Sequence, residues 1–172
     1  MRILLVLTLV LPACGAVGRA PGAPGAESAT APAARPEQAI AALLDAWHEA
    51  AARADEDAYL GAFAPDAVFL GTDATERWTL DEFSAYVHEY FVVQGRGWTY
   101  APRDRHVALH ADGRLAWFDE LLDSEGYGEL RGTGVVRLAD EGWRLVHYNM
   151  TFTIPNEAAK DVVAVVRRVE DE

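Results

Sequence analysis

The sequence predicts an α+β domain in which helices lie on one face of a curved antiparallel sheet. Three observations carry this expectation. The first half of the folded part repeats apolar residues at helical spacing, and the second half is a run of aromatic and β-branched strand segments. The two kinds hardly mix, so the layers are segregated rather than built from alternating βαβ units. Asp112-Gly113 and Asp140-Glu141-Gly142 are turn signals that divide the second half into hairpins.

The chain begins with Arg2, an apolar run from Ile3 to Leu11, and then Leu11-Pro12-Ala13-Cys14-Gly15. The run is too short to span a bilayer stably, and the segment has the form of a secretory signal. It resembles a bacterial lipobox, in which the cysteine is lipidated and becomes the new N-terminus. Residues 1–13 are therefore expected to be a signal peptide of the lipoprotein type, with Cys14 lipidated. The protein would then be exported and anchored to a membrane; the other reading is plain secretion, to the periplasm or beyond. Cys14 is the sole cysteine, so no disulfide forms within the chain. Residues 14–36 are rich in Gly, Ala and Pro and read as a disordered tether.

The folded domain is expected over residues 37–156. Pro36 suits the first turn of a helix, and Ala39, Ile40, Leu43, Leu44, Trp47 and Ala51 continue that helix to about Ala54. The segment Asp55–Phe63, "DEDAYLGAF", supports a second, short helix with Asp55 placed to cap it. After the break at Pro65 a strand runs from Ala67 to Leu70, followed by the loop Gly71–Trp78. Thr79 and Glu82 form a capping-box pattern ahead of a helix that reaches about Val92. Gly95 and Gly97 end it. Strands follow over residues 98–109, 115–123, 129–138 and 143–152. Asn156 is placed to cap a last helix over 157–169, within a C-terminal segment 157–172.

The formal net charge is −12, and it becomes −13 once residues 1–13, with Arg2 and no acid, are removed. Such a chain is a poor nucleic-acid ligand, because phosphate neutralisation needs clustered Lys and Arg. The five histidines show no metal-binding spacing, and no metal or cofactor is expected.

Strand pairing decides which side chains share a face. A three-residue loop at Asp140-Glu141-Gly142 sets Thr133 opposite Asn149, Val135 opposite His147 and Arg131 opposite Thr151. The preceding pair then sets Asp119 opposite Thr133. One face collects Trp117, Asp119, Arg131, Thr133, His147 and Asn149. The other, more apolar, collects Phe118, Glu120, Leu122, Leu130, Gly132, Gly134, Val136, Val146, Tyr148 and Met150, and should lie against the helices. Alternation thus sends Glu120 inward and Asp119 outward; a slip of one residue would exchange them.

A buried carboxylate needs a partner. For Glu120 the nearest by strand order is Tyr148; a helix-borne His or Arg is the structural alternative. Gly132 and Gly134 either leave a hollow beside these residues or mark a bend in the sheet. Trp47, Tyr59, Trp78, Tyr86 and Tyr90, with Glu120 and Tyr148, are the candidate pocket residues, and aromatic walls of this kind suit a small, largely apolar ligand. Arg131 serves either an anion or a surface salt bridge. The polar loop Thr72–Arg77 is either a pocket rim or a capped turn. The outer row around Asp119 is either a dimer surface or a solvated face.

The segments "FAPDAVFLGTDATERWT" and "YGELRGTGVV" and the closing strand "GWRLVHYNMTF" resemble the SnoaL-like branch of the NTF2-like superfamily. The resemblance implies a cone-shaped fold enclosing a pocket, frequent homodimers, and either ligand binding or metal-independent acid–base chemistry by an isomerase, cyclase or dehydratase. In that second case Glu120 and Tyr148, or Asp119 if the register slips, are the catalytic candidates. A third reading is a dimeric interaction module.

Overall fold

A computed structural model describes residues 35–171. The expected signal segment, Cys14 and the tether up to residue 34 lie outside the described residues. Helix α1, Pro36–Ala52, opens with its proline in the first turn, and the Gln38 side chain accepts the Arg35 N–H at 3.3 Å. Its buried face is Ile40, Leu44, Trp47, His48 and Ala51, an i, i+4, i+7, i+8, i+11 series. Helix α2, Glu56–Leu60, is capped as expected: Asp55 accepts the Ala58 N–H at 3.1 Å. Helix α3, Leu80–His88, starts with the expected capping box. Glu82 accepts the Thr79 N–H at 2.9 Å, and the Thr79 hydroxyl accepts the Glu82 N–H at 3.4 Å. A π-helical turn, Glu89–Val93, continues α3 and buries Phe91.

Six strands form one sheet: β1 Phe63–Leu70, β2 Arg77–Thr79, β3 Ala101–Leu109, β4 Leu115–Ser124, β5 Gly128–Ala139 and β6 Gly142–Phe152. Their order is β2-β1-β6-β5-β4-β3. The expected sheet was wholly antiparallel. In the fold β1 runs parallel to β6, because the α3 region and the β3–β5 meander separate them in sequence. The end of the expected Gly71–Trp78 loop becomes β2, which pairs Trp78 with Phe69.

The central register matches the expectation. Asp119 faces Thr133, and Thr133 faces Asn149; Arg131 faces Thr151 and Val135 faces His147. Nearer the turn it differs. Ala139 pairs with Gly142, so the loop has two residues, and Gly142 takes a φ of 116° that suits glycine. Val136 then pairs with Leu145, which leaves Val146 as an unpaired bulge. Val146 is consequently not on the inner face. Trp143 and Leu145 take that side before the bulge, and Tyr148 takes it after.

A second bulge lies in β3. Arg103 pairs with Leu121 but His106 with Asp119, and Asp104 between them has a φ of 49°. The extra residue brings Arg105, rather than Asp104, across from Glu120.

The core lies between α1, α3 and the inner sheet face and is largely aromatic. Phe69 and Phe83 stack with centroids 3.9 Å apart, and Trp47 meets Tyr148 edge-on at 4.7 Å. The last helix, α4, spans Ala159–Glu170 after a 3-10 turn at Asn156–Ala158. Asn156 does not cap it, and its valines 163, 165, 166 and 169 remain exposed.

Candidate functional site

Glu120 is 1% exposed, and its carboxylate is held from two sides. His48 Nε2, from α1, lies 2.7 Å from Oε1. Arg105 Nε, from the β3 bulge, donates to Oε2 at 2.7 Å. The same guanidinium donates to the Ala41 carbonyl at 3.0 Å and to Asp45 Oδ1 at 2.7 Å. Asp45 and His48 are three residues apart on α1, so one helix face and one bulge bracket the carboxylate. Burial alone would lower the Arg105 pKa, but the Glu120 and Asp45 carboxylates outweigh it and raise the value, so the cation persists. Of the partners considered for Glu120, the helix-borne histidine is present and Tyr148 is not: its hydroxyl has no hydrogen bond to the carboxylate.

The two glycines leave no hollow. A Cβ on Gly132 would overlap the Tyr148 hydroxyl, and one on Gly134 would come within 2.6 Å of the Phe118 ring. Aromatic rings from the flanking strands occupy the space above both. Asp119 lies on the outer face, with His106 Nδ1 3.3 Å from its carboxylate. Trp117, on the same face, is 49% exposed.

The cavity sits instead between α1, the α3 region and the β6 side of the sheet. Trp47, Tyr59, Trp78, Tyr86 and Tyr148 line it, as do His48, Phe69, Phe83, Trp98, Tyr100, Tyr127 and Met150. Tyr90 and Glu120 do not; Glu120 is hydrogen-bonded to His48, which does. Gly71, Thr72 and Glu76 form part of the rim, so the polar loop borders the opening. The cavity's volume is about 80 Å³. That is several times the roughly 10–15 Å³ that a single water needs, enough for a small molecule.

Polar groups converge on this space. Tyr59 and Tyr148 are 4% and 1% exposed, and neither hydroxyl has a hydrogen-bond partner among the described residues. Burial pushes both phenol pKa values well above the ordinary one, reinforced at Tyr148 by the Glu120 charge. Both therefore stay protonated and available as donors. Tyr100 is pushed up to about 12, chiefly by burial. Trp47 Nε1 is also buried without a partner. His48 and Tyr100 additionally line an open groove on the far side, with Asp45 and Glu49, so they form the wall between cavity and groove.

Sequence reasoning missed His48, although it falls on the α1 stripe four residues after Leu44. It also missed Trp98, Tyr100 and Tyr127, which sit in connections or at a strand entrance where periodicity gives no facing. Arg105 was hidden by the bulge.

Solved structures share this architecture. An NTF2-like protein of unknown function from Pseudomonas putida KT2440 is 19% identical, covers 71% of this chain and 89% of its own, and superposes with a TM-score of 0.58. A domain of unknown function with a cystatin-like fold from Nostoc punctiforme is 19% identical, covers 80% and 98%, and gives 0.57. At these identities the likeness establishes the fold. No curated protein sequence matches the chain. The SnoaL-like domain family model matches residues 40–155. With more than half of the chain matched, over the helices, the sheet and the aromatic cavity just described, this protein belongs to the SnoaL-like family and has an NTF2-like fold.

Proposed function

We propose that the domain binds a small, largely apolar molecule in the aromatic cavity. The observation that supports this most is the pair of Tyr59 and Tyr148 side chains in the cavity wall, whose hydroxyls make no hydrogen bond among the described residues. A bound molecule with an acceptor would give these donors a partner. The N-terminal sequence adds a place: an exported protein anchored through lipid on Cys14. Cys14→Ser should release it from the membrane fraction; unchanged membrane association would remove the lipid anchor.

The binding test uses the full-length mature protein. Mass spectrometry of molecules released on denaturation should find a compact ring compound. Indole or phenol, as neutral probes, should raise the melting temperature. Saturation at a hundredfold excess over Kd corresponds to about 2.7 kcal/mol of added stability. No co-purifying molecule and no response to either probe would end this reading.

A second reading is favoured by His48. Its Nε2 is fixed on Glu120 while its ring borders the cavity, the arrangement in which a carboxylate orients an imidazole for proton transfer. Glu120 then acts as a positioning residue through His48, rather than as the acid or base itself. If the released molecule is consumed by the wild type, and His48→Gln binds it without consuming it, proton transfer replaces simple binding.

A further inference from the structure

We propose that the cavity receives its ligand by an uncharged carbonyl oxygen set among tyrosine hydroxyls, and disfavours the corresponding carboxylate. This rests on the binding reading above and narrows its chemistry to a ketone, lactone or amide. Tyr59, Tyr100 and Tyr148 line the cavity from α2, the entrance to β3 and β6. They are close enough to act on one another. After burial, the Tyr148 and Tyr100 phenols raise the Tyr59 pKa, and Glu120 and Tyr100 raise that of Tyr148. None of the three hydroxyls makes a hydrogen bond among the described residues. Kept protonated, each holds a proton to donate. Trp47 stacks on Tyr59 with centroids 5.1 Å apart and planes 13° from parallel. It adds a buried indole N–H without a partner, a group that can only donate.

The complement to such a wall is an oxygen with lone pairs and no proton of its own to place, which a carbonyl supplies. The charges decide that it is neutral. Among the described residues, no Lys or Arg lines the cavity, and the one carboxylate that does is Glu76 at the rim. The basic side chain in the wall, His48, turns its Nε2 to Glu120 at 2.7 Å. The Glu120 charge is second only to burial in raising the Tyr148 pKa, and Arg105 offsets it less. A field that holds a phenol protonated opposes an anionic oxygen placed beside that phenol. A carboxylate would also give up its hydration without gaining a cation. The hydroxyls are thus suited to reading a carbonyl in its ground state, not to holding an oxyanion.

The test compares three molecules of one shape by titration calorimetry on the full mature protein. They are acetophenone, α-methylstyrene, which has a methylene in place of the oxygen, and benzoate, which carries a carboxylate. Acetophenone should bind about tenfold more tightly than α-methylstyrene, which leaves the donors facing a methylene. It should also bind about tenfold more tightly than benzoate. Tyr59→Phe and Tyr148→Phe should each shrink the first ratio. Glu120→Gln should shrink the second by strengthening benzoate. Equal affinity for acetophenone and α-methylstyrene overturns the carbonyl assignment, and benzoate binding as tightly as acetophenone overturns the selection by charge. Either result leaves the apolar-ligand reading standing. If none of the three binds while indole or phenol raises the melting temperature, this inference falls alone. If those probes fail as well, both fall together.

Discussion

Replacing Glu120 with leucine should destabilise the domain by about 3 kcal/mol, the lower end of what removing one member of a buried ion pair costs. The lower end applies because Arg105 retains Asp45 at 2.7 Å and the Ala41 carbonyl at 3.0 Å. The loss arises because Arg105 Nε and His48 Nε2 are left facing an apolar side chain in a region closed to water. Glu120→Gln should cost less, since an amide oxygen still accepts one of the two hydrogen bonds. Replacing His48, Arg105 and Glu120 together by apolar side chains of similar volume should recover most of the loss, because no buried charge is then unpaired. Urea denaturation of the four proteins checks the series. A Glu120→Leu variant within 0.5 kcal/mol of the wild type would show that water reaches the site and that α1 is not tied to the sheet through it.

This cluster also shows what the sequence can and cannot reveal. That Glu120 faces inward while Asp119 faces outward follows from alternation and from counting across two turns, and both operations are local. The identity of Glu120's partners is not local. His48 lies on α1 and Arg105 is aligned only because β3 carries an extra residue at Asp104. A bulge adds one residue with no change in composition, so "PRDRH" reads as plain alternation. Strict alternation seats Asp104, not Arg105, opposite Glu120. The same limit misplaced Val146: the Asp140–Glu141 turn fixes the near end of the hairpin and the far end keeps its own register, with the difference absorbed at one position in between.

The aromatic pocket was legible in part for a similar reason. Trp47 and Tyr59 are set by the stripes of α1 and α2, and Tyr86 by α3, so helical spacing finds them. Trp98, Tyr100 and Tyr127 lie at a strand entrance and in a hairpin connection, where no period tells which way a ring turns. Tyr90 fits the helical stripe, but the chain passes into a π-helical turn at Glu89, which changes the angle between successive side chains. A stripe extrapolated at 100° per residue past that point loses its facing, and Tyr90 falls outside the cavity lining.

Adding a single methyl group at Gly134 or at Gly132 should destabilise the domain by about 1–3 kcal/mol each, and the two should respond differently to rescue. At Gly132 the obstacle is the Tyr148 hydroxyl, the far end of a side chain. Tyr148→Phe removes that atom without breaking a hydrogen bond within the described chain, so it should cost little alone and should restore much of the stability lost in Gly132→Ala. The double-mutant cycle should show a coupling of about 1 kcal/mol or more. At Gly134 a Cβ would lie 2.6 Å from the Phe118 ring and 2.7 Å from the His147 carbonyl oxygen. The carbonyl belongs to the β5–β6 ladder and cannot withdraw without opening it, so shortening Phe118 to leucine should rescue Gly134→Ala poorly. Strictly additive effects at the Gly132–Tyr148 pair would mean that the tyrosine swings clear into the cavity. Gly132→Ala would then displace a hydroxyl that faces the cavity and lower ligand affinity as well.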